Sequence, residues 1–190
     1  MSENNGIQSL IIKVLNEPSV NIGQKIIFRT PDYHDLLMLY DDGSDVAVWT
    51  RTEEDVYDAF PEATKTDFQF ILVGFGREYD VVNVYKIPEF WLSDQNGNRL
   101  VIKNFHFAVS NRPDLSVDLV LPGNLFNNTI THIKREFGRI DVNVEYKVSD
   151  AVRTMGIRRI SLTQKQIELM NKQGGIDIDA IISSTYCFMQ

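Results

Sequence analysis

Between Gln24 and Tyr146 the apolar residues come in short β-branched and aromatic runs separated by turn-forming residues. That pattern belongs to strands rather than helices. The runs are Lys25 to Arg29, Leu36 to Tyr40, Val46 to Thr50, Phe68 to Val73, Val81 to Ile87, Phe90 to Ser93, Leu100 to Lys103, Phe105 to Ser110, Val117 to Leu121 and Ile140 to Tyr146. Together they predict a mainly β barrel or sandwich. Asn96-Gly97 lies between two of the runs and marks a hairpin. One helix interrupts the strands: Thr50 faces Glu53 in capping-box spacing, Val56 and Phe60 share a side, and Pro61 ends the run. Leu125 and Phe126 after Gly123 suggest a short helical turn.

Both ends have a different texture. Ile7, Leu10, Ile11 and Val14 follow helical spacing and predict an amphipathic helix over residues 6–16, stopped near Pro18. Beyond Lys147, Thr163 and Gln166 have capping-box spacing, Ile167 and Met170 share a face, and Gly174-Gly175 closes the segment. A second apolar stretch, Ile176 to Phe188, follows. The expected organisation is a helical segment over 1–20, a β domain over 21–148 and a helical C-terminal appendage over 149–190.

With 190 residues, 43% apolar and 24% charged, the chain has enough apolar material for a globular core. Asp and Glu number 26 against 19 Lys and Arg, a formal charge of -7 with no basic stretch. Phosphate neutralisation needs clustered bases, so nucleic acid and anionic membrane are not expected partners. The one cysteine, Cys187, cannot form an internal disulfide, and no run of about 18 apolar residues occurs. The opening residues Met1 to Gly6 do not read as a secretory signal. A soluble, cytoplasmic protein is the expectation.

Asp41, Asp42 and Gly43 form an Asp-X-Gly tripeptide directly after the run Leu36 to Tyr40 and shortly before another apolar run. A strand entering such a turn can present one carboxylate, and two such carboxylates can activate a water between them. The chain supplies the tripeptide once, so two copies meeting across a two-fold axis would be required for one site. Taken alone the tripeptide also suits an ordinary turn. Ser44 lacks a Gly-X-Ser-X-Gly frame and reads as a turn hydroxyl. His34, His106 and His132 lack metal-ligand spacing, and Gly74-Phe75-Gly76 has Tyr79 where a dinucleotide loop needs glycine, so no metal or cofactor is expected. The acids around Asp41 and at Glu53, Glu54 and Asp55 lack the spacing of a calcium loop. Trp49 and Trp91 read as core or dimer-contact residues.

The order of these features resembles the retropepsin-like aspartic proteases, closest to single-lobe members of bacterial genomes and mobile elements. The likeness runs over about residues 24–147 and is carried by Leu39-Tyr40-Asp41-Asp42-Gly43-Ser44, the helix ending in Phe60-Pro61, Gly74-Phe75-Gly76, Tyr85-Lys86-Ile87-Pro88 and Leu119-Val120-Leu121-Pro122-Gly123. The resemblance implies a single-lobe acid-protease barrel that is active as a homodimer on peptide or protein substrates without a cofactor. It implies Asp41 as the catalytic aspartate, Asp42, Gly43 and Ser44 as its loop, Gly74, Phe75 and Gly76 as the flap, and residues 119–123 as the segment packed behind the loop.

Asp42 departs from the family pattern, which has a hydroxyl there to bond across the dimer axis. An ionised carboxylate can only accept. Two Asp42 and two Asp41 side chains at one axis would crowd four carboxylates, each like-charge pair at about 4 Å costing ~4 kcal/mol at an effective dielectric of about 20. Three outcomes are open: the site works at low pH with several carboxyls protonated, Asp42 turns to a backbone N–H or water, or the enzyme is impaired. The competing reading is therefore a non-catalytic relative that binds a peptide or protein in the cleft. An acidic nucleic-acid mimic is a third and weaker reading.

Overall fold

The computed structural model describes residues 6–15, 26–73, 79–110, 117–137, 139–155, 164, 168, 172 and 185–189. Within them twelve strands and one helix have both ends described. The strands are β1 (Ile7–Ile12), β2 (Ile26–Phe28), β3 (Met38–Asp41), β4 (Ala47–Trp49), β5 (Thr64–Val73), β6 (Tyr79–Ser93), β7 (Arg99–Val109), β8 (Leu119–Pro122), β9 (Ile130–Glu136), β10 (Arg139–Lys147), β11 (Val152–Thr154) and β12 (Thr185–Met189), and the helix α1 is Glu53–Ala59. The protein is mainly β, as its alternating runs predict. Among the described residues the sheets do not close into a barrel. A nine-stranded sheet runs β12-β5-β6-β7-β4-β8-β3-β2, with β11 paired to β7, and a separate sheet runs β1-β10-β9.

Alternation along the central strands divides their side chains between two cores. On β3 Met38 enters the larger core and Leu39 the smaller; on β8 Leu119 and Leu121 enter the larger and Val120 the smaller; on β4 Ala47 and Trp49 flank Val48 in the same way. Period-two geometry sends neighbouring residues to opposite faces, so these strands read as unbroken apolar runs because both faces are buried. The larger core also takes Leu10, Ile12, Val14, Val142, Val144 and Tyr146, which seats the three-stranded sheet on one face of the large one. An aromatic cluster of Trp49, Phe60, Phe90, Phe105 and Phe107 fills its middle, with ring centroids 4.4–6.5 Å apart. Trp91 lies outside that core, partly exposed under the Arg99 guanidinium at 4.6 Å.

The expected helix over 6–16 is a strand. β1 pairs antiparallel with β10 from Ile7↔Lys147 to Ile12↔Val142. Leu10 and Ile12 are buried while Ile7 and Ile11 are 64% and 52% exposed, so the operative period is two. The apolar residues fit both periods, and the pairing partner decides between them. The outer edge of β1 is occupied by side chains: Ile11 N donates to Asp94 Oδ2 (3.1 Å) and Asn98 Nδ2 donates to Ser9 O (2.8 Å).

Within the appendage, Gln164, Glu168 and Lys172 are helical and exposed, but β11 and β12 are strands added in parallel to β7 and β5. A wholly helical C-terminal segment is thus corrected: part of it extends the main sheet. The cap of α1 is Thr52, whose hydroxyl accepts from Asp55 N, and not Thr50. Thr50 is buried and its hydroxyl donates to the carbonyls of Val117 and Asp118. The expected runs at 81–87 and 90–93 are one fifteen-residue strand, β6. Pro88 has no N–H, and the rung between Ile87↔Phe105 and Glu89↔Lys103 is missing opposite Asn104 at φ 52°. The Asn96-Gly97 hairpin joins β6 to β7, with Asp94 Oδ1 accepting from the amides of Asn96 and Asn98 and Gly97 at φ 85°. The helical turn after Gly123 is the 3-10 turn Gly123–Phe126. Among the described residues no helix is long and apolar enough to cross a membrane.

Two measurements test this arrangement. Leu10→Ala should cost about 2–5 kcal/mol in urea unfolding and Ile11→Ala within about 0.5 kcal/mol, because only the first vacates the core; equal losses would restore the helix. Burial pushes the Tyr33 hydroxyl up to about 12, where it accepts from Trp91 N at 3.1 Å and its ring stacks on Phe90 at 5.2 Å. A neutral phenol is favoured in the fold, so its contribution is complete below about pH 10 and is lost as pH rises towards 12. Tyr33→Phe should therefore flatten the alkaline decline in stability between those limits.

Candidate active site

The tripeptide sits where β3 ends. β3 pairs parallel with β8 in the register Met38↔Leu119, Leu39↔Val120, Tyr40↔Leu121, Asp41↔Pro122. Parallel strands bring the same ends together, so the turn after Asp41 and the turn after Pro122 emerge side by side. Asp41 is half-buried and its Oδ1 accepts from Gly43 N at 3.0 Å, the local turn that aspartate forms readily. Ser44 N donates to Asp41 O at 3.1 Å and completes the reversal. Ser44 is 1% exposed and its hydroxyl donates to Val46 O at 2.7 Å, so it holds the loop's exit into β4.

Gly123 locks the two turns together. Its amide donates to Ser44 O at 2.9 Å, and its carbonyl accepts from the Tyr40 hydroxyl at 3.1 Å. A Cβ on Gly123 would lie 2.5 Å from the backbone oxygen of Asp42, so the close approach requires glycine. Gly43 differs: a Cβ there would meet only Asp41 Oδ1, at an ordinary 3.4 Å. Tyr40 is half-buried against Phe126, ring centroids 4.9 Å apart. Burial, and secondarily the negative charge of Asp42, raises its pKa and keeps the phenol a donor.

Asp42 and Asp45 are exposed, and Asp42 meets Gly123 through its main chain. Thus Asp41, Asp42, Gly43 and Ser44 lie in one turn, with Leu119 to Gly123 beside it. Gly74, Phe75 and Gly76 lie outside the described residues; β5 and β6, which flank them, pair antiparallel up to Val73↔Tyr79. The spacing of the tripeptide did not point to Tyr40 or to the hydroxyl it sends to Gly123. Only the strand pairing brings those two residues together.

Two of the concavities lined by described residues lie elsewhere. One of about 270 Å³ sits between the 31–36 turn and α1, lined by Asp32, His34, Asp35, Arg51, Asp55 and Asp58 among others. Another of about 200 Å³ lies between Asn124, Asn127 and Asn128 on one side and Asp150, Arg153 and Thr154 on the other. Asp41 lines neither. Among the described residues no group of three or more His, Cys, Asp or Glu side chains is placed to hold a metal.

Gly123→Ala should destabilise the fold by about 1–3 kcal/mol, since a backbone atom rather than a flexible side chain must yield. Gly43→Ala should cost less than about 1 kcal/mol, and the pair of denaturation midpoints checks both values. Compared with known proteins, the chain matches no family model, no curated protein and no solved structure.

Proposed function

We propose that the chain is an aspartic endopeptidase with the fold of a retropepsin-like single lobe, working as a homodimer in which each subunit contributes one Asp41. The observation that carries the reading is the seating of the Asp41 turn: a carboxylate at the end of β3, fastened from behind by Gly123 at the end of parallel β8. Water activation demands a carboxylate held within narrow limits, and a turn braced by its neighbour restricts how far this one can move.

In the dimer the two Asp41 carboxylates face each other and hold one proton between them, because like charges about 3 Å apart do not both ionise readily. The ionised member takes a proton from the water between them, and the water oxygen attacks the peptide carbonyl. The protonated member hydrogen-bonds to the developing oxyanion. As the tetrahedral intermediate collapses the C–N bond breaks and a proton passes to the leaving amine. The peptide lies extended, bonded by its backbone to strand edges, with apolar side chains in flanking pockets. No cofactor takes part in these steps.

The exposed position of Asp42 supports an arrangement in which its carboxylate is solvated while its main chain faces Gly123. The same acid, standing where a hydroxyl is usual, favours a second reading as a catalytically impaired module that binds a peptide or protein partner. Digestion of an unfolded protein substrate from about pH 3 to 8 separates the two. The enzyme should show cleavage that a pepstatin-type inhibitor blocks, and Asp41→Asn should abolish it with the dimer intact. Inhibitable cleavage absent at every pH would leave the binding module, and full activity in the Asp41→Asn variant would end the mechanism.

A further inference from the structure

We propose that Arg153, which lies beyond the β domain read from the sequence, is a positioning residue for the Asp41 turn. Backbone pairing of β11 with β7, Arg153 opposite Ile102, fixes its main chain to the large sheet. The half-buried guanidinium then spans two segments. Nε and Nη2 donate to Asp150 O at 3.3 and 3.2 Å on its own side, and Nη1 donates to Asn127 O at 2.5 Å and Leu125 O at 3.4 Å across the gap. Leu125 belongs to the 3-10 turn that starts at Gly123, and Asn127 follows that turn directly, its amide donating to Asn124 O at 3.2 Å. From Gly123 the connection runs to Ser44 O through its amide and to Tyr40 through its carbonyl. Two further bonds, Ser44 N to Asp41 O and Gly43 N to Asp41 Oδ1, complete the route to the carboxylate.

Carbonyl oxygens accept most strongly from a charged donor, and only a planar fork reaches carbonyls on both sides at once. Lysine offers a single point charge and cannot bridge the two segments in this way. Leu125 and Phe126 seat the 3-10 turn in the larger core, and because the turn has few backbone bonds of its own, its carbonyls are further fixed by what they bond to. The consequence is that residues 148–155 belong to the working site. The catalytic part of the inference rests on the peptidase reading; the mechanical part, that Arg153 holds the Asp41 turn still, does not.

The test compares the full-chain protein with Arg153→Lys and Arg153→Met by amide hydrogen exchange and by peptidase kinetics. Exchange in peptides covering 38–46 and 119–127 should rise about tenfold in both variants, with peptides from β6 and β7 unchanged. At the same time kcat should fall about tenfold with KM unaltered, because peptide contacts are intact while the carboxylate is loosely held. Exchange over 38–46 equal to the wild type, or raised uniformly along the chain, overturns the proposal. So does a loosened turn with undiminished kcat in an active enzyme. If the wild type cleaves nothing, the peptidase reading fails by itself, and the exchange pattern alone upholds or overturns the positioning role.

Discussion

The contact between Gly123 and the main chain of Asp42 is the constraint on which the arrangement of the site depends. Parallel pairing of β3 with β8 carries two unrelated stretches, 81 residues apart in sequence, to the same end of the sheet. Absence of a side chain at 123 then lets one turn rest on the other. Two hydrogen bonds fasten it, from the Gly123 amide to Ser44 and from the Tyr40 hydroxyl to the Gly123 carbonyl. Any larger residue at 123 would force the backbones apart and move Asp41 with them. The buried strands behind the turns, with apolar residues on both faces, give this contact a stiff base.

Charge is distributed so that the structural carboxylates are ion-paired or hydrogen-bonded and Asp42 and Asp45 of the candidate loop face solvent. Asp118 is 8% exposed, accepts from Leu37 N at 2.8 Å and meets Arg51 at 2.5 Å. Asp32 accepts from Ser93 and Arg99, and Asp94 organises the β6–β7 hairpin. Removing one partner from such a group leaves a buried charge without compensation, so these acids are fixed parts of the fold. Asp42 and Asp45, by contrast, are exposed beside half-buried Asp41. In a symmetric dimer their solvation would ease the crowding of carboxylates that the tripeptide brings to the axis.

Much of the strand content was legible because alternation and turn residues are local signals. Leu36 to Tyr40, Phe105 to Ser110 and Val117 to Leu121 announced β3, β7 and β8, and Asn96-Gly97 announced its hairpin. β1 was not legible, since Ile7, Leu10, Ile11 and Val14 satisfy a helical period while burial follows Leu10, Ile12 and Val14. β9 was missed for the opposite reason: Ile130 to Glu136 is exposed except at half-buried Thr131 and carries no alternation. Thr52 displaced Thr50 as the helix cap because the Thr50 hydroxyl is committed to the 117–118 carbonyls, a contact no local window contains. At the site, the position of Asp41 at a strand end could be read from its neighbours. The resemblance implied that residues 119–123 pack behind that turn, but the Tyr40 bond to Gly123 and the Arg153 bonds beyond it could not be read, because those contacts join residues some 30 to 80 positions apart.

The central claim is that one site needs two Asp41 side chains, one from each copy. Subunit mixing tests it most directly: wild-type protein is refolded with Asp41→Asn at varied ratios and fixed total concentration, and peptidase activity is measured. If both carboxylates are required, activity follows the square of the wild-type fraction and falls to about a quarter at equal proportions. Activity that declines linearly with the wild-type fraction, or none at any composition, would contradict the account.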